Sequence, residues 1–584
     1  MTDSTRRLPA LAAVAGALVA PVVVAGCSAV SFERTASTTD GGDSTVTAMS
    51  LGPVATWDPQ RMTSTKDMAF AGRVFMRTLT TFPAGPDAAA QGRLVGDLAT
   101  DTGRPSKDLK TWSFTLRDGV SWQDGSAVTC EDVRYGVARS FGDPFATEGL
   151  NYPLAALDIP KKADGTSTYR GPWAGTSGAA GAGAKAFDTA VSCKDRTITF
   201  RLTEPRGDFN QMVSLAPFAP FKKSADKRGD GTYTVFSNGP YLLKGPWDQG
   251  TGGTFERNPR WQQASDPVRR PAAERIRYQE GVESQTAAQR IMADEKDNQR
   301  AVALDSAPPA MQHSITGSDT LRARSVNPHL GLVDYLALNV GSGPMAKEKA
   351  RQALAVATNR EGYVAALGGS TAASPALSVV GRSVPGHEEV DVLRSGLRGD
   401  AAAARSLLAE SGLTLPVTVR VAYRSTPTAD KAMAALKNGW EAGGFQVLLQ
   451  PVEKDYFAAV SSAERTRQSD VIWANWAADW PSASTVLPPL FDSRLNLTSS
   501  GSGRDLGRFS DARVNARMSE ISAMADPAAR EKAWGELDRG LLQRGVYVPL
   551  AQYRGVFTAG SAVTGLAANE ALGGWVDLAR VGVR

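Results

Sequence analysis

The sequence predicts an α/β fold divided into more than one domain, and three observations carry that prediction. Short alternating apolar runs, punctuated by turn residues, are interleaved along the chain with segments whose apolar residues recur at helical spacing. No unit recurs at a fixed period, so a solenoid is excluded. The chain has 584 residues, 42% of them hydrophobic and 21% charged, which marks a globular protein too long for one core; two or three domains are expected.

The N-terminal segment sets the compartment. Arg6 and Arg7 precede an Ala/Val/Leu-rich run over residues 8–26, and small residues lead into Cys27, the layout of a bacterial export signal. Pro9 and Pro21 interrupt the run, so a permanent transmembrane helix is a poor reading, and no other segment is apolar enough to span a bilayer. Val24, Ala25, Gly26 and Cys27 resemble the lipobox of bacterial lipoproteins. That likeness implies cleavage before Cys27, acylation of its thiol and anchoring to the outer face of the cell membrane. Residues 1–26 are thus expected to be a signal peptide, and 27–44, rich in Ser, Thr, Gly and Asp, a lipid anchor and flexible tether. One acyl chain holds only marginally, so stable anchoring takes two or more. An ordinary secretory signal with Cys27 incidentally near the cleavage point is the alternative.

A chain outside the membrane meets oxidising surroundings, which favour a disulfide between the two remaining cysteines, Cys130 and Cys193. Two buried free thiols are the alternative, because sequence does not show whether the Cα atoms come within bridging distance. The formal charge is +5, and removing residues 1–26 takes away Arg6, Arg7 and Asp3 and leaves +4. This near-neutral balance, with no basic stripe interleaved with aromatics, argues against nucleic acid as a partner.

Further along, "WSFTLRDGVSWQDG" (112–125) reads as a strand with Trp112, Phe114 and Leu116 facing one way, a turn at Arg117-Asp118-Gly119, a short return strand and a second turn at Asp124-Gly125. "SAVTCEDVRYGVARSF" (126–141) begins a helix, with Thr129 as N-cap and Asp132 three residues on. The glycine-rich "GPWAGTSGAAGAGAKAF" (171–187) predicts a mobile surface loop, since its glycines lack both the strand-then-helix context and the Lys-Ser/Thr ending of a phosphate-binding loop. "KARQALAVATNREGYVAAL" (349–367) places Ala350, Leu354 and Ala357, then after a turn Tyr363 and Leu367, at helical spacing.

Five segments carry a family resemblance. The stretch 94–136, "LVGDLATDTGRPSKDLKTWSFTLRDGVSWQDGSAVTCEDVRYG", closely resembles the signature of the peptide/nickel class of extracellular solute-binding proteins, the receptors of ABC importers. "TWDPQ" (56–60), "SNGPYLLKGPW" (237–247) with "ERNPRW" (256–261), "YLALNVGSGPMAKEKARQALAVATNRE" (335–361) and "VYVPL" (546–550) are similar to further family elements, in the family's order. The resemblance implies a two-lobed periplasmic-binding-protein-like fold of type II with an extra inserted domain and a ligand cleft between the lobes. The expected division is a discontinuous first lobe from 45–62, 193–306 and 551–584, an inserted domain over 63–192 and a second lobe over 307–550. It also implies a monomeric receptor without a cofactor that binds a peptide and passes it to permease subunits driven by ATPases.

The candidate site is "DVIWANWAADWPSAS" (470–484). The first four residues read as a strand, after which Trp476, Asp479, Trp480 and Pro481 crowd into a loop. Aromatic rings around one isolated carboxylate suit a cation and its apolar neighbours once water is excluded. In peptide-binding members of the family an aspartate at the end of this strand pairs with the α-ammonium of the ligand, and the Trp-x-x-Asp pattern assigns that part to Asp479, with Trp473, Trp476 and Trp480 as its aromatic surroundings. An exposed loop carboxylate beside core tryptophans is the competing reading.

No catalytic residue and no metal ligand set is assigned. His313, His329 and His387 are isolated, and the adjacent carboxylates Glu131-Asp132 and Glu388-Glu389 diverge as sequence neighbours do, so no metal motif or nucleophilic triad can be assembled. Within the same family, a receptor for nickel, a nickel chelate or haem remains an alternative to a peptide receptor, as does an envelope sensor.

Overall fold

Three sheets organise the computed structural model, which describes residues 44–175, 177–498 and 501–584. The signal, lipidation and most of the tether predicted over residues 1–44, Cys27 included, lie outside the described residues. Among the described residues no helix is long and apolar enough to cross a membrane.

The first sheet runs in the order Ala301–Ala303, Thr45–Met49, Arg275–Gln279, Gly252–Arg257, Tyr241–Asp248. Its two outer pairs on the Thr45–Met49 side are parallel and the rest antiparallel. The "GPYLLKGPW" segment forms the closing hairpin of this sheet, and "TWDPQ" supplies its packing: Trp57 is fully buried and meets Phe70, Phe75, Trp247, Phe255 and Tyr278 at centroid distances of 5.1–6.2 Å. All of these contacts but the tilted one with Phe70 are edge-to-face, and such pairs add about 0.5–1.5 kcal/mol each beyond the area they bury. The next residue, Asp58, forms a two-pronged ion pair with Arg139 at 2.9 and 2.5 Å, both groups buried, which locks the motif to the helix Cys130–Arg139. Removing one partner of such a pair costs on the order of 3–5 kcal/mol.

The second sheet is a four-stranded antiparallel one, Arg104–Pro105, Thr111–Thr115, Thr197–Arg201, Val191–Lys194. Trp112 and Phe114 face its core as the alternation predicts. The helix that packs on it starts with the expected capping box: Thr129 accepts from the Asp132 amide at 3.2 Å while the Asp132 carboxylate accepts from the Thr129 amide at 2.9 Å. A disulfide between Cys130 and Cys193, with Cα atoms 5.9 Å apart, joins that helix to the strand Val191–Lys194. The glycine-rich segment departs from expectation. Instead of a mobile loop over 171–187, a helix spans Gly178–Ala190. Phe187 provides the reason, since it stacks on Tyr169 at 4.4 Å and meets Phe141 edge-on, and that burial outweighs the poor helix propensity of the glycines.

The third sheet has six strands in the order Ala373–Pro375, Tyr547–Arg554, His329–Leu338, Val471–Ala477, Val417–Arg424, Phe445–Val452. The last three are parallel to one another and the others antiparallel. A parallel pair needs a crossover, here the helix Pro427–Ala442, capped by Thr426 and buried through Ala432, Met433, Leu436 and Trp440. The sequence 349–367 forms two helices, Glu348–Val356 and Arg360–Leu367, divided at the expected turn. Val471–Ala477 thus lies in mid-sheet, and its C-terminal end delivers the chain to the candidate site.

Candidate functional site

The strand extends four residues further than the sequence suggested, to Ala477 rather than Trp473. Trp476 belongs to the strand Val471–Ala477, paired with Val333, and the loop begins only after it. That loop folds back on Thr485: the Trp476 indole N–H donates to the Thr485 carbonyl at 2.7 Å, and the Asp479 amide donates to the Thr485 hydroxyl at 3.2 Å. These bonds fix the carboxylate of Asp479 relative to the Trp476 ring.

Asp479 is held from a second direction by a distant part of the chain. The hydroxyl of Tyr152, in the short helix Tyr152–Ala156, donates to Asp479 Oδ2. Burial and then the Asp479 charge push the Tyr152 phenol far above its ordinary pKa, so it remains a donor. Burial likewise raises the Asp479 carboxyl, while the Tyr152 hydrogen bond and the positive charge of Arg504 pull it partly back. A carboxylate in this condition is short of counter-charge and gains from a cation placed beside it.

Two cavities meet at Asp479. One, of about 600 Å³, has aromatic and aliphatic walls that include Tyr335, Phe457, Trp476, Leu490 and Leu506, with Ser461, Asn475 and Arg504 as its further polar groups. The other, of about 230 Å³, is walled by Met68, Met76, Phe82, Leu215, Leu572 and Trp575. Leu332, Ala477 and Asp479 line both. The smaller cavity therefore lies between the six-stranded sheet's end and segments near residues 65–82, 214–216 and 571–575. Its two arginines are already neutralised, Arg73 by Asp577 at 2.9 Å and Arg269 by Asp97 and Asp266 at 2.9 and 3.1 Å. Apolar walls with one available carboxylate at the junction suit an ammonium flanked by hydrocarbon on two sides.

Of the four residues singled out in the sequence, Asp479 and Trp476 come together on the cavity wall. Trp473 and Trp480 do not line either cavity. Trp473 is 7% exposed, donates to the Tyr363 hydroxyl at 2.9 Å and packs on Tyr456. Trp480, 2% exposed, turns away to donate to Asp208 at 3.0 Å, and the Ser484 hydroxyl donates to the same carboxylate. Burial works against the Asp208 charge, but Arg206 at 3.7 Å and these hydrogen bonds outweigh it and hold the carboxyl below its ordinary range. Trp480 also meets the Tyr152 ring edge-on at 5.0 Å, so it positions the tyrosine that holds Asp479. Tyr152, Tyr335 and Arg504 escaped the sequence reading: Tyr152 lies 327 residues from its partner, and Arg504 sits in a Gly/Ser-rich stretch that reads as plain polar loop.

Comparison with known proteins agrees with this architecture. Residues 93–496 match the family model described as bacterial extracellular solute-binding proteins, family 5 Middle. The periplasmic oligopeptide-binding protein OppA of Salmonella typhimurium is 24% identical over 79% of this chain and 81% of its own length. The periplasmic murein peptide-binding protein MppA of Escherichia coli is 24% identical over 79% and 80%, and the probable deoxycholate-binding periplasmic protein YgiS of the same species 25% identical over 76% and 77%. Among solved structures, clavulanic acid biosynthesis oligopeptide binding protein 2 superposes with a TM-score of 0.81 at 24% identity, covering 93% of this chain and 96% of that one. The fold is that of a two-lobed solute-binding protein.

Proposed function

Because the chain belongs to the bacterial extracellular solute-binding proteins of family 5, we propose that it is the peptide receptor of an ABC importer, tethered outside the cell by lipid at Cys27. The observation that carries the reading is Asp479, an under-compensated carboxylate at the junction of two apolar cavities. The ligand's α-ammonium pairs with Asp479, the first side chain enters one cavity, and the remainder of the peptide occupies the other against Trp476. Relatives whose names record oligopeptide and murein-peptide binding support that class of ligand.

The lobes, 45–62 with 193–306 and 551–584 on one side and 307–550 on the other, close around the ligand, with 63–192 as the inserted domain. A ligand that touches both favours the closed form by its differential affinity; hinge closure in binding proteins of this kind is a standard case. Closure presents the loaded receptor to its permease.

A second reading has some support. Apolar walls and Arg504 would also suit a bulky apolar carboxylate, the type of ligand in the name of YgiS, but such a ligand leaves Asp479 buried without a cation. Native purification followed by mass spectrometry of whatever co-purifies decides between them. Peptides are expected, and a steroid-like acid would overturn the reading.

A further inference from the structure

We infer that lobe closure has its own catch, outside the ligand cavities: the turn at residues 206–208 docks against residues 480–484 and 522–530, and this contact keeps a closed form populated before any ligand arrives. The inference rests on the proposed division into lobes, not on the class of ligand. Residues 206–208 belong to the four-stranded sheet's side of the molecule. The Arg206 amide donates to the Leu109 carbonyl at 3.2 Å, the Trp112 indole N–H donates to the Arg206 carbonyl at 3.1 Å, and Phe209 is buried in that sheet's core. Their partners belong to the six-stranded sheet. Trp480 and Ser484 follow its strand Val471–Ala477, and the helices Ala512–Ser522 and Pro527–Gln543 enter its core through Met518, Ile521, Trp534 and Leu541.

The contact has three parts. Trp480 leaves its own sheet and joins the buried apolar cluster that contains Phe200, Phe209 and Phe218. Its indole N–H and the Ser484 hydroxyl both donate to Asp208, whose charge Arg530 also favours from the opposing side. Third, the Gly207 amide donates to the Ser522 carbonyl at 2.8 Å. Glycine is needed at 207 for this approach. A Cβ there would overlap the Met524 carbonyl oxygen and the Arg530 guanidinium, and the nearest atoms all come from the opposing side. The Gly207 backbone has no positive φ, so alanine suits its conformation and only the docked arrangement excludes it. None of residues 206–208, Trp480, Ser484, Ser522 or Met524 lines either cavity. The catch therefore favours the closed form whatever those cavities hold, and it raises apparent affinity by raising the fraction of receptor in the binding-competent form.

The test is small-angle scattering on the mature chain as wild type, Gly207→Ala and Trp480→Ala, each stripped of bound material by unfolding and refolding with the disulfide intact. The radius of gyration should be larger in both variants than in the wild type. An unchanged far-ultraviolet circular dichroism spectrum shows that each variant is folded. Calorimetry with the tripeptide Ala-Phe-Ala should then give about tenfold weaker binding, or worse, for Gly207→Ala than for the wild type. Equal radii of gyration in all three proteins, or equal affinity in the wild type and Gly207→Ala, would overturn the inference. A wild type that does not bind Ala-Phe-Ala counts against the peptide reading instead, and the scattering still decides on the catch.

Discussion

Tyr152 donates a hydrogen bond to Asp479 across 327 residues of sequence, joining a helix beside the four-stranded sheet to the loop that ends a central strand of the six-stranded one. The bond works against the burial that raises the Asp479 carboxyl and ties that carboxyl to the cavity junction. Removal of the hydroxyl alone is therefore informative.

Tyr152→Phe should keep the ring contact with Trp480 but withdraw a donor from Asp479, so the Asp479 carboxyl rises further above its ordinary range. Peptide binding needs the charged form, and affinity is lost as pH falls through that pKa. The midpoint of affinity against pH should lie higher in the variant than in the wild type. Calorimetry between pH 7.5 and 4.5 measures it, and identical midpoints would contradict the assignment.

Folding stability should rise on mild acidification. Burial raises the carboxyls of Asp334 and Asp505 to about 7 and that of Asp538 to about 6, whereas in the unfolded chain such groups titrate near 4. Between pH 4 and 7 the folded state thus binds more protons than the unfolded one, and stability falls as pH increases across that window. The melting temperature should be higher at pH 5.5 than at pH 8. In Asp334→Asn, which keeps an acceptor for Tyr363 and Tyr553, the difference should shrink.

The Cys130–Cys193 bridge closes a loop with a sequence separation of 63, which in the chain-entropy model contributes about 4 kcal/mol. Replacing both cysteines by alanine should lower the unfolding free energy by roughly that amount in denaturant melts. Two freely alkylated thiols in unreduced, unfolded wild-type protein would rule the bridge out.

Cys27→Ala should release the protein from the membrane fraction, since the proposed acylation has no other site. A variant that fractionates with membranes as the wild type does would remove the lipoprotein reading.

Local signals in the sequence translated well into structure. The Thr129/Asp132 capping box, the Trp112/Phe114 alternation and the turn dividing the two helices of 348–367 all depend on neighbours within a few residues. The glycine-rich segment misled because its helix is held by Phe187 against Phe141 and Tyr169, a tertiary contact that composition does not record. The same holds for the site. Asp479 and Trp476 were legible from one short motif, but Tyr152 and Arg504 reach Asp479 through the fold alone, and Trp480 and Trp473 read as pocket rings although their indole N–H groups are engaged by Asp208 and Tyr363.

The most direct test of the central claim is a calorimetric cycle with the co-purified peptide or its synthetic copy, its N-acetylated form, the wild type and Asp479→Asn. Leaving one member of a desolvated ion pair unmatched costs on the order of 3–5 kcal/mol, so the substitution should weaken binding by about a hundredfold or more, at about 1.4 kcal/mol per tenfold. Acetylation should cost the wild type a similar factor and the variant little more. If substitution and acetylation each change affinity by less than about threefold, Asp479 does not hold the ligand's ammonium and the account of the site is wrong.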